Sequence, residues 1–126
     1  MLVNAMNLNY RELNDQIRRA EKDCCIQNCL GQRFIGTGMD HIEITVNGIP
    51  GNALGAYLNG AKIIVSGNAQ DAVGDTMNAG EIIIHGNIGD AAGYAMRGGK
   101  IFVRDNAGYR AGIHMKAYSC LLYTSP

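Results

Sequence analysis

The sequence predicts an all-β fold: a right-handed parallel β-helix, a single-stranded solenoid of about 19 residues per coil, with a short N-terminal α-helix. Three observations predict it. Equivalent residue types recur every 19 positions over four units, the apolar residues of each unit alternate, and glycine makes up 17 of the 126 residues beside only 2 prolines. So much glycine with so little proline is typical of repeated corners rather than of a Pro/Gly-rich disordered tract.

The 19-residue period is visible in columns of equivalent residues. A charged column, Glu43, Lys62, Glu81 and Lys100, is followed by two apolar columns, Ile44, Ile63, Ile82 and Ile101, then Val46, Val65, Ile84 and Val103. Gly36 and Met39 lie one 19-residue period before Gly55 and Leu58, so the repeat begins earlier in the chain. The same spacing places the start of this earlier coil at Cys24. Because the apolar residues alternate as in a strand, each coil is predicted to hold one strand and a second, shorter strand.

Other architectures fit this period less well. A helical repeat needs about 33 residues and a propeller blade about 40. A left-handed hexapeptide solenoid has a six-residue subperiod, and its absence here favours the right-handed coil. The alternative fold is an antiparallel meander with Asn47-Gly48 and Asn59-Gly60 as hairpin turns, although a meander does not require identical registers.

The remaining columns predict the corners of each coil. The turn glycines are Gly55, Gly74, Gly93 and Gly112, and a second glycine column, Gly48, Gly67 and Gly86, ends the first strand. Recurrent glycine indicates a positive φ or a close approach of the backbone. A third column, expected to form an amide ladder, consists of Asn68, Asn87 and Asn106. The charged column alternates in sign, so each charge is expected to have an opposite neighbour, worth about 0.2–1 kcal/mol per pair.

Three segments are predicted: residues 1–23 with a capping helix, residues 24–119 as the β-helix, and residues 120–126 as a tail. Asn9 is the predicted N-cap, with the carboxylate of Glu12 three residues on, and apolar residues at spacings of three and four predict a helix from about Tyr10 to Lys22. The tail resembles a translated sequencing adapter. We therefore expect it to be non-native and the natural β-helix to continue with further coils.

Composition and charge argue against several function classes. The 11 basic and 11 acidic residues give a net charge of zero, which disfavours both nucleic-acid binding and a polybasic membrane anchor. No window holds the ~18 apolar residues that span a bilayer, and the N-terminus does not read as a secretory signal. The cysteine spacing matches no structural zinc site and does not favour a disulfide framework. A cytoplasmic protein with reduced thiols is therefore expected.

Residues with catalytic chemistry are not recognisable in the sequence. Gly93 and Gly98 have phosphate-loop spacing, but the Lys and Ser/Thr that should follow are missing. The three histidines fall at different offsets of the repeat and form no metal-binding pair. Cys24, Cys25 and Cys29 are expected to be small buried hydrophobes of the first coil. We expect no catalytic, cofactor-binding or metal-binding residue.

One outward-facing column predicts a functional surface. If the two apolar columns point inwards, Thr45, Ile64, Ile83 and Phe102 point outwards from the same strands. Large apolar side chains in a row are expected to be covered rather than left in water. Either the N-terminal helix covers them, or Ile64, Ile83 and Phe102 form a docking stripe for another domain or subunit.

Two successive glycine motifs resemble a known family. Residues 67–80 read Gly-Asn-Ala-Gln-Asp-Ala-Val-Gly-Asp-Thr-Met-Asn-Ala-Gly, and residues 86–99 read Gly-Asn-Ile-Gly-Asp-Ala-Ala-Gly-Tyr-Ala-Met-Arg-Gly-Gly. They resemble the C-terminal β-helix of the glutamate synthase large subunit, the GXGXG domain. Residues 10–13 and 108–116 resemble its stand-alone version, which occurs where glutamate synthase is split among polypeptides. The second resemblance is to a related protein, the β-helical subunit of formylmethanofuran dehydrogenase.

The resemblance implies a subunit of an oxidoreductase that carries no chemistry of its own. In glutamate synthases the amidotransferase nucleophile, the FMN and the iron–sulfur cluster belong to other domains, which the β-helix holds together. Glutamate biosynthesis with ammonia assimilation is thus the implied process, and the amidotransferase and FMN synthase parts are the implied partners. The second resemblance implies instead a molybdenum or tungsten enzyme of one-carbon metabolism.

Overall fold

The computed structural model describes residues 1–105 in full and, beyond them, the backbone of one strand. In chain order the elements are β1 (Leu2–Asn4), α1 (Tyr10–Ile17), β2 (Asp23–Leu30), β3 (Glu43–Ile49), β4 (Asn59–Val65), β5 (Ala79–Ile84), β6 (Gly99–Val103) and β7 (Cys120–Thr124). The strands form one seven-stranded sheet in which each pairs in parallel with the next along the chain. Because consecutive parallel strands need a crossover, the chain winds as a solenoid. This confirms the predicted fold class and excludes the meander.

The registers of β3 to β6 follow the predicted 19-residue columns. Pairing runs from Glu43 to Lys62, then to Glu81 and to Lys100. The register shifts before this column at the start of β4, where Asn59 pairs with Ala79. The two apolar columns that follow point inwards, and none of their members is more than 2% exposed. Burial of each such side chain contributes roughly 1.5–3 kcal/mol, so these inward ladders form the core of the solenoid.

The register slips by one residue where β2 meets β3. Glu43 pairs with Asp23, so the first coil starts one residue before the Cys24 start that the phase predicts. The pairing is irregular around Asn28, whose φ is +59°. Asn tolerates the left-handed region better than most residues. A bulge at this point therefore absorbs the extra residue and restores the 19-residue phase.

The other side of each coil is a run of turns, not the second short strand that the sequence predicts. One run occupies residues 53–57, and equivalent runs follow in the next coils. Positive φ recurs at alternate residues, with +60° at Ala53, +68° at Gly55 and +58° at Tyr57. A strand keeps φ negative at every residue, so this alternation gives a compact, bent backbone instead.

Backbone hydrogen bonds also join the turn runs from coil to coil. The N–H of Gly55 donates to the carbonyl of Ile35 at 2.8 Å, towards the preceding coil. The N–H of Ala53 donates in the other direction, to the carbonyl of Asp71 at 2.9 Å. Both sides of a coil thus satisfy their backbone groups through the neighbouring coils.

α1 begins where the sequence predicts but ends earlier. The Asn9 side chain accepts a hydrogen bond from the Glu12 N–H at 2.9 Å, and the Glu12 carboxylate accepts one from the Asn9 N–H at 3.1 Å. This capping box confirms the predicted start. The predicted end at Lys22 is wrong, because α1 ends at Ile17. The Ile17 carbonyl accepts a hydrogen bond from the N–H of Ala20, three residues on, at 3.0 Å, which tightens the last turn. The chain is then free to turn into β2.

The packing of α1 closes one end of the core. Leu13 and Ile17 are fully buried in the same cluster as Val3 of β1 and Ile35. Ile35 belongs to the first turn run, residues 34–38. Ala20, the last member of the predicted apolar stripe, is partly buried against this cluster. α1 therefore acts as a lid over the first coil.

The predicted tail contains the last strand. β7 pairs in parallel with β6, with Leu122 opposite Ile101. Ladder bonds involve only backbone groups, so the edge of a sheet can pair with a segment of any origin. The non-native origin of residues 120–126 stays a prediction.

Candidate functional site

The outward face of the sheet assembles the residues of the predicted docking stripe into one column. Ile64 lies opposite Ile83, and Ile83 lies opposite Phe102. Thr45 of β3 continues the column on the other side of Ile64. All four side chains are half-buried, because neighbours about 4.8 Å apart cover one another's flanks. The result is an apolar ridge whose outer surface faces away from the core.

Polar columns border this stripe on both sides. One is the charged column, and the other consists of Asn47, Ser66, His85 and Arg104. Within residues 1–105, no nitrogen–oxygen distance of 4.0 Å or less joins two members of the charged column. The register confirms that each charge of this column has an opposite charge as its neighbour, and these neighbours do not form direct ion pairs. An apolar strip between polar borders is the usual anatomy of a protein–protein contact.

The N-terminal helix does not cover the stripe. α1 packs against β1 and is fastened by Asn14 to the backbone of Phe34 and Gly36 in the first turn run. These contacts hold α1 over the end of the solenoid, whereas the stripe runs along β3 to β6. Of the two alternatives, coverage of the stripe by α1 is therefore excluded.

Asn14 is a buried polar residue that sequence reasoning missed. Its Nδ2 donates to the Phe34 carbonyl at 2.8 Å, and its Oδ1 accepts from the Gly36 N–H at 2.9 Å. The side chain is only 4% exposed. Its place between Leu13 and Ile17, on the buried face of α1, is the signal that could have found it, because a polar group there must be paired.

The turn glycines lie where the turn run approaches the inward ladder. φ is +68° at Gly55, +69° at Gly74 and +68° at Gly93. A β-carbon on Gly55 or Gly74 would lie 2.6 Å from Cδ1 of an isoleucine in the ladder. Positive φ and close approach therefore act together at these two positions. Gly112 lies outside the described residues.

The asparagine column forms bonds from side chain to backbone between coils. Asn68 Oδ1 accepts a hydrogen bond from the N–H of Asn87 at 2.8 Å. This bond joins an amide oxygen to the backbone, whereas the predicted ladder would join two side-chain amides. Asp71 Oδ1 accepts in the same way from the N–H of Asp90 at 2.8 Å. Asn106 lies outside the described residues. These side chains act as corner fasteners.

A cleft of about 360 Å³ lies between the end of α1 and residues 37–42. On its wall, His41 Nδ1 is hydrogen-bonded to Asp40 Oδ1, and both side chains are exposed. The hydroxyl among the lining residues is Thr37, which donates to the Ala56 carbonyl at 2.7 Å. Because that hydroxyl is engaged with the backbone, the lining gives the His–Asp pair no nucleophile to activate.

The cysteines of the first coil lie on both faces of β2. Cys24 and Cys29 are buried and Cys25 is half-buried; all three are free thiols. Burial raises the pKa of the Cys29 thiol from 9.0 to about 11, and burial also raises the pKa of Cys24. A thiol with a raised pKa is a poor nucleophile and a poor metal ligand. Cys24 and Cys29 thus act as the small core residues that the sequence predicts, whereas Cys25 belongs to the outward face.

Neither a cluster of metal ligands nor a membrane-spanning helix occurs in the described part of the chain. Within residues 1–105, no group of three or more His, Cys, Asp or Glu side chains is gathered as a metal-ligand set. α1, the helix of this part of the chain, has eight residues and is too short to cross a bilayer, and no other described helix is long and apolar enough to do so.

Comparisons with known proteins match most of the chain to one family. The sequence model of the GXGXG motif family matches residues 9–122. The uncharacterized protein MJ1350 of Methanocaldococcus jannaschii is 45% identical over 68 residues, which make up 48% of this chain and 26% of that protein. The chain thus spans about a quarter of the length of this relative. No solved structure matches the chain.

Proposed function

Because the chain belongs to the GXGXG motif family, which is associated with glutamate synthase, we propose that it is a non-catalytic scaffold of a glutamate-synthase-type oxidoreductase. In this role it docks the amidotransferase and the FMN synthase parts of the enzyme. The process served is glutamate biosynthesis from assimilated ammonia, in the cytoplasm. The family match over residues 9–122 is the observation that carries the proposal.

The outward stripe supports a docking role. Ile64, Ile83 and Phe102 form an apolar ridge between polar borders, and α1 packs elsewhere. In a protein contact such a ridge becomes the dry centre while the borders stay solvated. The stripe is also held straight, because hydrogen bonds fasten both sides of every described coil to its neighbours.

The chemistry of the enzyme belongs, in this proposal, to the partner parts. The FMN and the iron–sulfur cluster lie in those parts, and no residue of this chain is assigned to either group. The burial of Cys24 and Cys29 and the engaged hydroxyl of Thr37 support a structural role for the coils that carry them.

Binding between purified proteins tests the proposal. The full chain is mixed with the separately purified amidotransferase and FMN synthase parts of a split glutamate synthase, and complexes are detected by size-exclusion chromatography. We expect the chain alone to be colourless and the complex to carry the flavin absorbance of the FMN part. A flavin spectrum from the chain alone would contradict the scaffold role.

A matched pair of substitutions tests the stripe itself. Ile83→Asp places a charge in the centre of the stripe and is expected to weaken binding at least ten-fold while the chain stays folded, with a thermal midpoint only a few degrees lower. His85→Asp places the same charge in the polar border, two residues along the same outward face, and is expected to leave binding unchanged. Full binding by Ile83→Asp would show that the partners dock elsewhere.

The second resemblance, to the β-helical subunit of formylmethanofuran dehydrogenase, receives no support from the comparisons. The archaeal relative is uncharacterized by its own name and adds no function. Glutamate synthase is therefore the single assembly proposed.

A further inference from the structure

A basic and aromatic groove of about 260 Å³ lies between the start of α1 and the first corner, and is lined by residues 8–10 and 30–33. We propose that this corner groove binds an acidic peptide segment of a partner protein, with an apolar residue of that segment seated in the groove. The groove shares no residue with the outward stripe. The inference therefore goes beyond the proposed scaffold role and does not depend on it.

The guanidinium of Arg33 lines the corner groove, and the guanidinium of Arg11 adds a second positive charge beside it, over the Tyr10 ring. The Arg33 Cζ lies 5.5 Å from the centre of the Tyr10 ring and 5.8 Å from that of Phe34. The Arg11 Cζ lies 5.6 Å from the centre of the Tyr10 ring. Within residues 1–105, no carboxylate oxygen comes within 4.0 Å of either guanidinium. Stacking on aromatic rings orients a guanidinium and leaves N–H donors for a carboxylate.

The nearest acidic side chain along the helix does not cancel this charge. Glu12 is occupied by the capping box, where its Oε1 accepts a hydrogen bond from the Asn9 N–H at 3.1 Å. Its negative charge is thereby directed to the start of α1, whose free N–H groups carry partial positive charge. The two guanidiniums are left to attract an anionic ligand.

The corner groove also offers apolar surface on a rigid floor. Leu30, which lines the groove, is 77% exposed, and Ile49, its neighbour on β3 just outside the lining, is 42% exposed. Gln32 fixes the floor, because its Nε2 donates to the carbonyls of Ala5 and Leu8 at 2.9 and 3.0 Å, and its Oε1 accepts from the Leu30 N–H at 2.8 Å. A preorganised groove loses little conformational entropy when a ligand binds.

This combination favours a peptide over other anions. A nucleic acid binds by neutralising several phosphates, and two guanidiniums on a chain of zero net charge are too few. A free inorganic anion would leave Leu30 and Ile49 in water. A segment with Asp or Glu beside Leu or Phe pairs the charges and covers the apolar side chains at the same time.

Fluorescence anisotropy with the full chain tests the proposal. The probe is a fluorescein-labelled peptide in which one Leu and one Phe are flanked by Asp and Glu residues. We expect saturable binding at low ionic strength that weakens several-fold on raising NaCl to about 150 mM, since the attraction is screened. Arg33→Gln is expected to weaken binding about ten-fold. Leu30→Ser is expected to weaken it several-fold, because the apolar contact is lost.

The controls decide between this site and general charge attraction. Arg19→Gln removes the same charge beyond the end of α1 and is expected to leave binding unchanged. A peptide with Lys in place of the acids is expected not to bind. The proposal is overturned if the acidic peptide fails to bind at millimolar concentration or if Arg19→Gln weakens it as much as Arg33→Gln. Tighter binding of a single-stranded oligonucleotide than of the peptide would also overturn it.

Discussion

The strand side and the turn side of each coil both hydrogen-bond to the neighbouring coils, but their backbone conformations differ. On the strand side, extended residues pair in register and their side chains alternate between core and surface. On the turn side, positive φ recurs at alternate residues, and the N–H groups of these residues bond in turn to the coil after and the coil before. The strand side accepts any apolar residue of suitable size at its inward positions. The turn side depends on glycine.

Positive φ alone does not explain which turn residues are glycine. In the run around Gly55, Ala53 and Tyr57 also have positive φ, at +60° and +58°. What sets Gly55 apart is the core, because a β-carbon there would lie 2.6 Å from Cδ1 of Ile82. Backbone strain and contact with the inward ladder therefore act together to select glycine in this column.

The largest effect is expected from Gly74→Val on the turn side. A β-branched residue is disfavoured at a φ of +69°, and the new side chain would enter the space of Ile101. We expect the free energy of unfolding to fall by roughly 4 kcal/mol. Urea unfolding of the full chain measures this fall as a lower midpoint at an unchanged slope.

Two alanine substitutions separate strain from contact. Gly38 has a φ of +68° but open space at its β-carbon position, so Gly38→Ala is expected to cost only about 1 kcal/mol. Gly67 has open space and no positive φ, so Gly67→Ala is expected to be close to neutral. If Gly74→Ala costs no more than Gly38→Ala, the contact with the ladder has no part in selecting glycine.

On the strand side, the two faces of β5 are expected to respond differently. Ile82 is fully buried, so Ile82→Ala should lower the free energy of unfolding by about 3 kcal/mol through lost burial and a cavity. Ile83 is half-buried on the outward face, and Ile83→Ala should cost about 1 kcal/mol or less. The same urea titration compares them, and equal costs would mean that the outward stripe is covered.

The junction of α1 with the turn side is expected to respond to Asn14→Ala. The change leaves the Phe34 carbonyl and the Gly36 N–H without their partner, so we expect a loss of about 2 kcal/mol. Hydrogen exchange of the Gly36 amide should accelerate. Asn9→Ala is the control, because it removes the helix cap at a cost of about 1 kcal/mol and should leave that amide protected. Unchanged exchange in Asn14→Ala would contradict the fastening role.

The smallest effect is expected at alkaline pH and concerns Cys29 on the strand side. Burial raises the pKa of its thiol from 9.0 to about 11, so above pH 9 the unfolded chain releases this proton before the folded chain does. Stability should therefore fall as pH rises from about 9 to 11. Urea midpoints across this range are compared with those of Cys29→Ala, whose decline should be shallower. Parallel declines would show that Cys29 contributes nothing to the pH dependence.

The 19-residue period was enough to predict the register of β3 to β6 from the charged column onwards. In a solenoid the neighbour of each residue is the equivalent residue one period away, so a column in the sequence is a column in space. Ile64, Ile83 and Phe102 could be placed side by side for that reason. The bulge at Asn28 and the register shift between Asn59 and Lys62 could not be foreseen in the same way, because each is a local break in the period.

Neither the corner groove nor the hydrogen bonds of Asn14 to the first coil could be predicted from the sequence, and the reason differs from that for the bulge. Arg33 belongs to the first coil, but Tyr10 belongs to a segment outside the repeat, so no spacing relates the two residues. Their meeting depends on the path of the chain after α1, which ends at Ile17 instead of continuing to Lys22. The turn run was predicted as a second short strand. The alternation of positive and negative φ does not change the apolar pattern, and one glycine per coil is its signal in the sequence.

The solenoid, its period, the register of its charged and apolar columns and the division into inward and outward columns could all be predicted from the repeat. Each of these follows from a repeated spacing, and a stacked repeat turns spacing along the chain into contact between coils. The tertiary structure alone decided that α1 caps the end of the core, that it leaves the stripe uncovered, and that Arg33 stacks on Tyr10. These outcomes depend on how α1, which lies outside the repeat, packs against the coils, and such packing is set by shape and hydrogen-bond partners in three dimensions.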